Sequence, residues 1–80
     1  MKLPRDMSGD YLARKLSQFG YMQTRQTGSH QRLTRTTDKG SHHITIPQHK
    51  NLRVGTLNAI LMEVASHLEL TKEELLDQLE

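Results

Sequence analysis

The chain contains no cysteine and no tryptophan, and its only aromatic residues are Tyr11, Phe19 and Tyr21. Without cysteine there is no disulfide, no thiolate metal site and no catalytic thiol. So few aromatic rings do not make the base-stacking platform of an RNA-recognition motif. No apolar run approaches the ~20 residues needed to span a bilayer. Met1 to Asp6 carries charge with no apolar stretch behind it, so no secretory signal is expected. The chain reads as cytoplasmic, without a membrane partner. Acidic residues are scarce before position 54, where only Asp6, Asp10 and Asp38 occur. That leaves no carboxylate pair for two-metal or glycosidase chemistry. The glycines are scattered and form no NTPase-type phosphate loop.

What remains is 80 residues with a net charge of +2. This is one domain, residues 1–80, with a small core that buries roughly 60–65 % of the unfolded surface. The net charge hides an asymmetry. Residues 1–53 hold ten Lys/Arg and three Asp/Glu, a net +7, and residues 54–80 hold one Lys and six acids, a net −5. His30, His42, His43 and His49 also lie in the basic part. The front of the chain is built to meet an anion, and nucleic acid is the first candidate.

Local signals predict the order α-β-β-β-α-α. Ser8 is a good helix cap, Asp10 suits the positive end of the helix dipole, and Met7 with Leu12 forms a hydrophobic staple. Leu12, Leu16 and Phe19 make one apolar stripe, so the first helix is expected over about 9–19, ended by Gly20. Strands are expected over 21–26, 30–36 and 42–46, the last stopped by Pro47. Thr27-Gly28-Ser29 and Thr37 to Ser41 are the turns, which implies an antiparallel meander. A second helix opens near Gly55-Thr56, with Thr56 as its expected cap. Its buried stripe is Leu57, Ile60, Leu61, Val64 and Leu68. Thr71 and Glu74 form a capping box for a third helix, with Leu70 and Leu75 as its staple. The fold class is α+β, a three-stranded antiparallel sheet with helices on one face.

Alternation then sorts the strand residues. Leu33, Ile44 and Ile46 must face the helices, so His30, Arg32, Thr34, His43 and Thr45 face an open side. Gly28-Ser29-His30 is the sharpest feature there. A histidine at the mouth of a hairpin, on a basic face, can transfer protons near neutral pH. RNA cleavage needs little more, because the ribose 2′-hydroxyl is the nucleophile and cations stabilise the phosphorane. From the residues alone, an ordinary surface histidine in a turn is the favoured reading, because lone histidines are common. His42 and His43 point to opposite sides of a regular strand, which argues against one shared metal. Lys50 and Arg53, ahead of the second helix, offer a phosphate seat that Arg25, Arg32 and Arg35 would extend across the sheet. No metal and no cofactor is called for. A non-catalytic RNA-binding module of the same fold is the alternative, and a protein-interaction module using the acidic tail is a third reading.

The chain resembles the HicA toxin family of prokaryotic toxin–antitoxin systems over nearly its whole length. Four blocks carry the resemblance: Leu3 to Gly9, Phe19-Gly20-Tyr21 with Arg25 to His30, His42 to Lys50, and Gly55 to Leu61. It implies a fold like the double-stranded-RNA-binding domain. It implies a metal-independent endoribonuclease, an mRNA interferase that arrests translation and growth. By motif, His30 is then the catalytic residue and Gly28 and Ser29 form the turn that exposes it. Arg25, Arg32, His43, Lys50 and Arg53 are candidate contacts to single-stranded mRNA, and His43 is also a candidate second proton-transfer group. A HicB-type antitoxin would cover the active face, and the tail is open to that antitoxin or to a second copy of the chain. Many members have a short Ala-Gly-Leu turn between the last two helices. Here Val64 to Leu70 is longer and lacks glycine, so the second helix is expected to run further.

Overall fold

Ser8 opens the first helix as its sequence signal predicts, its side chain accepting the Tyr11 N–H at 3.0 Å. The computed structural model describes residues 7–79, and the Leu3 to Asp6 part of the resemblance lies outside them. Helix α1 spans Gly9–Leu16, and the chain continues to Phe19 as a 3-10 turn rather than as α-helix. Strands β1 (Met22–Thr27), β2 (His30–Thr37) and β3 (Gly40–Pro47) follow, then helices α2 (Val54–Leu68) and α3 (Lys72–Leu79). The sheet is antiparallel in the order β1-β2-β3. Element order and fold class are those read from the sequence.

The core is one cluster between sheet and helices. Leu12 and Leu16 of α1, Tyr21, Leu33, Ile44 and Ile46 of the sheet side, and Leu57, Leu61 and Val64 of α2 are all buried. Leu75, Leu76 and Leu79 add α3 to it, while Leu68 is only half-buried at its edge. Burial of this apolar surface, at roughly 25 cal/mol per Å², is the main stabilising term. The Thr71–Glu74 capping box closes reciprocally, Thr71 N–H to Glu74 Oε1 at 2.8 Å and Glu74 N–H to Thr71 Oγ1 at 3.1 Å.

Some boundaries differ from the local signals. Thr56 is not the cap of α2. The helix begins three residues earlier, with Arg53 at the cap position and no side-chain cap. The context is tertiary: buried Leu52 donates its N–H to Met7 O at 2.8 Å, which anchors the chain two residues before the helix, and Leu57 in its first turn is buried as well. Only Asp38 and Lys39 lie outside the β2–β3 ladder, because Thr37 pairs with Gly40. Pro47 stays in β3 opposite His30, tolerated at the end of an edge strand. Helix α2 does run through Val64–Leu68, and it stops at Glu69, which takes a left-handed conformation at φ 59°.

Gly9 is where α1 meets the sheet. A Cβ there would lie 1.9 Å from the Pro47 carbonyl oxygen, so only glycine allows this approach. The Gly9 N–H donates to His49 O at 3.0 Å. These contacts hold the start of α1 against the end of β3, beside the β1–β2 hairpin.

Candidate active site

The β1–β2 hairpin turns on Gly28 and Ser29 alone. Gly28 has φ +59° with open space around it, and Ser29 keeps a negative φ. Glycine at the first central position is what a type II′ hairpin turn needs. Thr27 and His30 are the first pair of the ladder, so the turn sets His30 at the sheet's end. Neighbouring contacts brace the turn. Gln48 N–H donates to Ser29 O at 2.6 Å, and the Gln48 side chain reaches both Gln26 and Asp10. Asp10 also accepts from buried Gln31 at 3.3 Å. Helix α1, the hairpin and the loop after β3 are thereby joined around His30.

Strand β1 carries a bulge between Gln23 and Arg25. A bulge sets two residues opposite one and shifts the alternation beyond it. Thr24 and Arg25 consequently share the open side, and Arg25 pairs with Arg32, which pairs in turn with Thr45. Without the bulge Arg25 would have pointed towards the helices. Arg25, Thr27, His30, Arg32, His43 and Thr45 line one solvent-open cavity of about 390 Å³. The side of β2 and β3 expected to be open is therefore open.

His43 is tied within this face. Its Nδ1 lies 2.8 Å from Thr34 Oγ1, and Thr34 Oγ1 lies 2.8 Å from Thr24 Oγ1. No ion pair among the described residues involves Arg25 or Arg32, whose charges are available to an anion. Lys50 and Arg53 are exposed and do not line the cavity. Arg35 departs from expectation. It shares the Leu33 side of β2, donates to Phe19 O at 2.7 Å and lies 3.2 Å from His67 Nε2. It thus belongs to the helix side and cannot extend a seat across the open face.

A family model described as HicA toxin of bacterial toxin-antitoxin matches residues 9–65, from the start of α1 to the last turns of α2. The chain belongs to the HicA toxin family. That family makes it a toxin of a toxin–antitoxin system, with an antitoxin as its partner. No curated protein and no solved structure matches the chain. The matched stretch contains every residue lining the cavity, together with Gly28, Ser29, Lys50 and Arg53.

The sequence reading missed a second histidine cluster on the helix side. His42 and His67 stack with ring centroids 4.1 Å apart. Tyr21 OH lies 2.7 Å from His42 Nδ1, and His42 Nε2 lies 4.0 Å from Glu63. Burial pushes the Tyr21 phenol up to about 12. Burial, reinforced by His42 and Arg35, holds His67 below its usual value. Alternation puts His42 on this side, but nothing in the sequence pairs it with a residue of α2. The described residues form no helix long and apolar enough to cross a membrane.

Proposed function

We propose that this toxin is a cytoplasmic, metal-independent endoribonuclease that cleaves mRNA and so stops translation and growth. One observation carries the reading. His30 sits on a braced hairpin at one end of a cavity that also holds Arg25 and Arg32. The two guanidiniums receive the scissile phosphate and stabilise the charge of the phosphorane. His30 takes the proton from the 2′-hydroxyl, whose oxygen bonds to phosphorus. The bond from phosphorus to the 5′-oxygen breaks, and that oxygen takes a proton from water in the solvent-open cavity. The products are a 2′,3′-cyclic phosphate and a 5′-hydroxyl. Lys50 and Arg53, exposed on the loop between β3 and α2, would hold more distant phosphates. A HicB-type antitoxin laid over the open face would block entry and add stability to a small core.

The test is cleavage of a labelled single-stranded RNA by the purified chain. His30→Ala should retain RNA binding, lose cleavage and no longer arrest growth. Full cleavage by that variant would remove His30 from the mechanism. Chelator should leave the wild-type rate unchanged, and its loss would overturn metal independence. RNA binding without cleavage by the wild type would establish the non-catalytic module instead.

A further inference from the structure

The open face is laid out in rows. His30 and Thr27 form the first, Arg25, Arg32 and Thr45 the second, and Met22, Thr34 and His43 the third. Successive rows are about 6–7 Å apart, since a strand rises about 3.3 Å per residue. His30 and His43 are two rows apart, about 13 Å along the strand, with the arginine row between them.

His43 is held in its own row. Thr34, directly opposite, accepts or donates at 2.8 Å from His43 Nδ1, and Thr24 braces Thr34 at the same distance. Thr24 reaches this place because of the bulge. The contacts leave Thr34 only 9 % exposed on the open side of the sheet. The ring borders the cavity, and among the described residues no hydrogen bond is made by its Nε2. In the same row Met22 is 69 % exposed, whereas the other exposed large apolar side chains, Tyr11, Val54 and Met62, belong to helices. An imidazole and an exposed thioether flanking a braced hydroxyl set one apolar and one polar contact one row beyond the phosphate seat. A nucleobase has matching chemistry: an apolar face to pack and a polar edge for Nε2.

We infer that Met22, Thr34 and His43 form a nucleobase subsite that holds a nucleotide beside the scissile phosphate of single-stranded RNA. The inference rests on the nuclease reading of the face. His43 is a binding residue here, and Thr34 and Thr24 are positioning residues that fix its ring. The tether keeps it from leaning towards the phosphate that His30 serves.

Binding, measured apart from cleavage, tests this. The probe is a short 2′-O-methyl RNA hexamer, which lacks the nucleophile, together with a set in which one base at a time is removed. At one position, base removal should weaken wild-type binding by about tenfold. His43→Ala and Met22→Ala should each weaken binding of the intact hexamer, and removal of that base should then cost them little more. Thr34→Val should behave like His43→Ala, and Thr34→Ser should bind like the wild type. With cleavable RNA, His43→Ala should raise KM while kcat and the pH profile hold. Fully additive losses at every position would overturn the subsite. So would a His43→Ala variant that binds normally but loses kcat and one limb of the pH profile, the mark of a second proton-transfer group. Met22 is exposed, so its variant keeps the test valid if a threonine variant fails to fold. A wild type that binds the hexamer with this pattern but cleaves nothing would defeat the nuclease reading and leave the subsite standing.

Discussion

The Tyr21 hydroxyl lies 2.7 Å from His42 Nδ1 and joins the entry of β1 to β3 on the side facing the helices. Burial pushes the phenol up to about 12, so it keeps its proton at neutral pH and holds this contact as a neutral hydrogen bond. His42 in turn stacks on His67 of α2. Arg35, 3.2 Å from His67 Nε2, and Glu63, 4.0 Å from His42 Nε2, complete the cluster. The cluster fastens α2 to the sheet, opposite the cavity that contains His30.

This cluster makes stability sensitive to acid. His67 titrates below its ordinary value of 6.5 when folded, so the unfolded chain binds more protons in that range. Its contribution is complete above about pH 6.5 and is lost as pH falls towards the folded value. Urea midpoints measured from pH 8 down to pH 5 should therefore decline. His67→Gln should flatten that decline, and an unchanged slope would remove His67 as its source.

Gly9→Ala should destabilise the domain by about 1–3 kcal/mol, because the new Cβ would collide with the Pro47 carbonyl. Gly55→Ala is the control. It lies in the first turn of α2 with nothing within 4 Å, and should be neutral or stabilising by up to about 1 kcal/mol. Thermal unfolding of the two variants should move in opposite directions or differ clearly in size.

Glu69 ends α2 in the left-handed region at φ 59°. Its N–H still closes the helix onto Ala65 O and Ser66 O, so the backbone geometry is already that of a glycine cap. Glu69→Gly should therefore raise stability by about 1 kcal/mol, with no effect on RNA binding. A lower unfolding temperature would show that the glutamate side chain makes a compensating contribution.

Arg32→Ala should weaken binding of non-cleavable RNA and lower the slope of log K against log salt by about 0.7, the release expected of one phosphate contact on a single strand. Arg25→Ala should act similarly. Arg35→Ala should leave the slope unchanged and reduce stability, since Arg35 bonds to Phe19 O on the helix side. A titration of affinity against salt separates the three variants.

Much of this domain was legible locally. Ser8 and the Thr71–Glu74 pair mark helix starts because caps act within three or four residues. Leu33, Ile44 and Ile46 orient β2 and β3 because side chains alternate. The same alternation exposes His30, Arg32 and His43. Strand β1 resisted this reading, because its apolar pattern is weak and a bulge resets its parity at Thr24. Arg35 was misassigned although it shares parity with Leu33. Thr56 looked like a cap, but the helix starts at Val54, two residues after Leu52 is anchored to Met7.

The sequence by itself determined the element order, the basic front and acidic tail, and the side on which His30 lies. It also carried the blocks that resemble the HicA family. Those features depend on neighbours a few positions apart or on composition. Tertiary structure alone decided that Arg25 joins Arg32, that Gln48 and Asp10 brace the His30 hairpin, and that His42 stacks on His67. Each of these depends on the register of a strand pair or on packing between distant segments. Such contacts form only when the whole core sets the elements in place, and no local pattern encodes them.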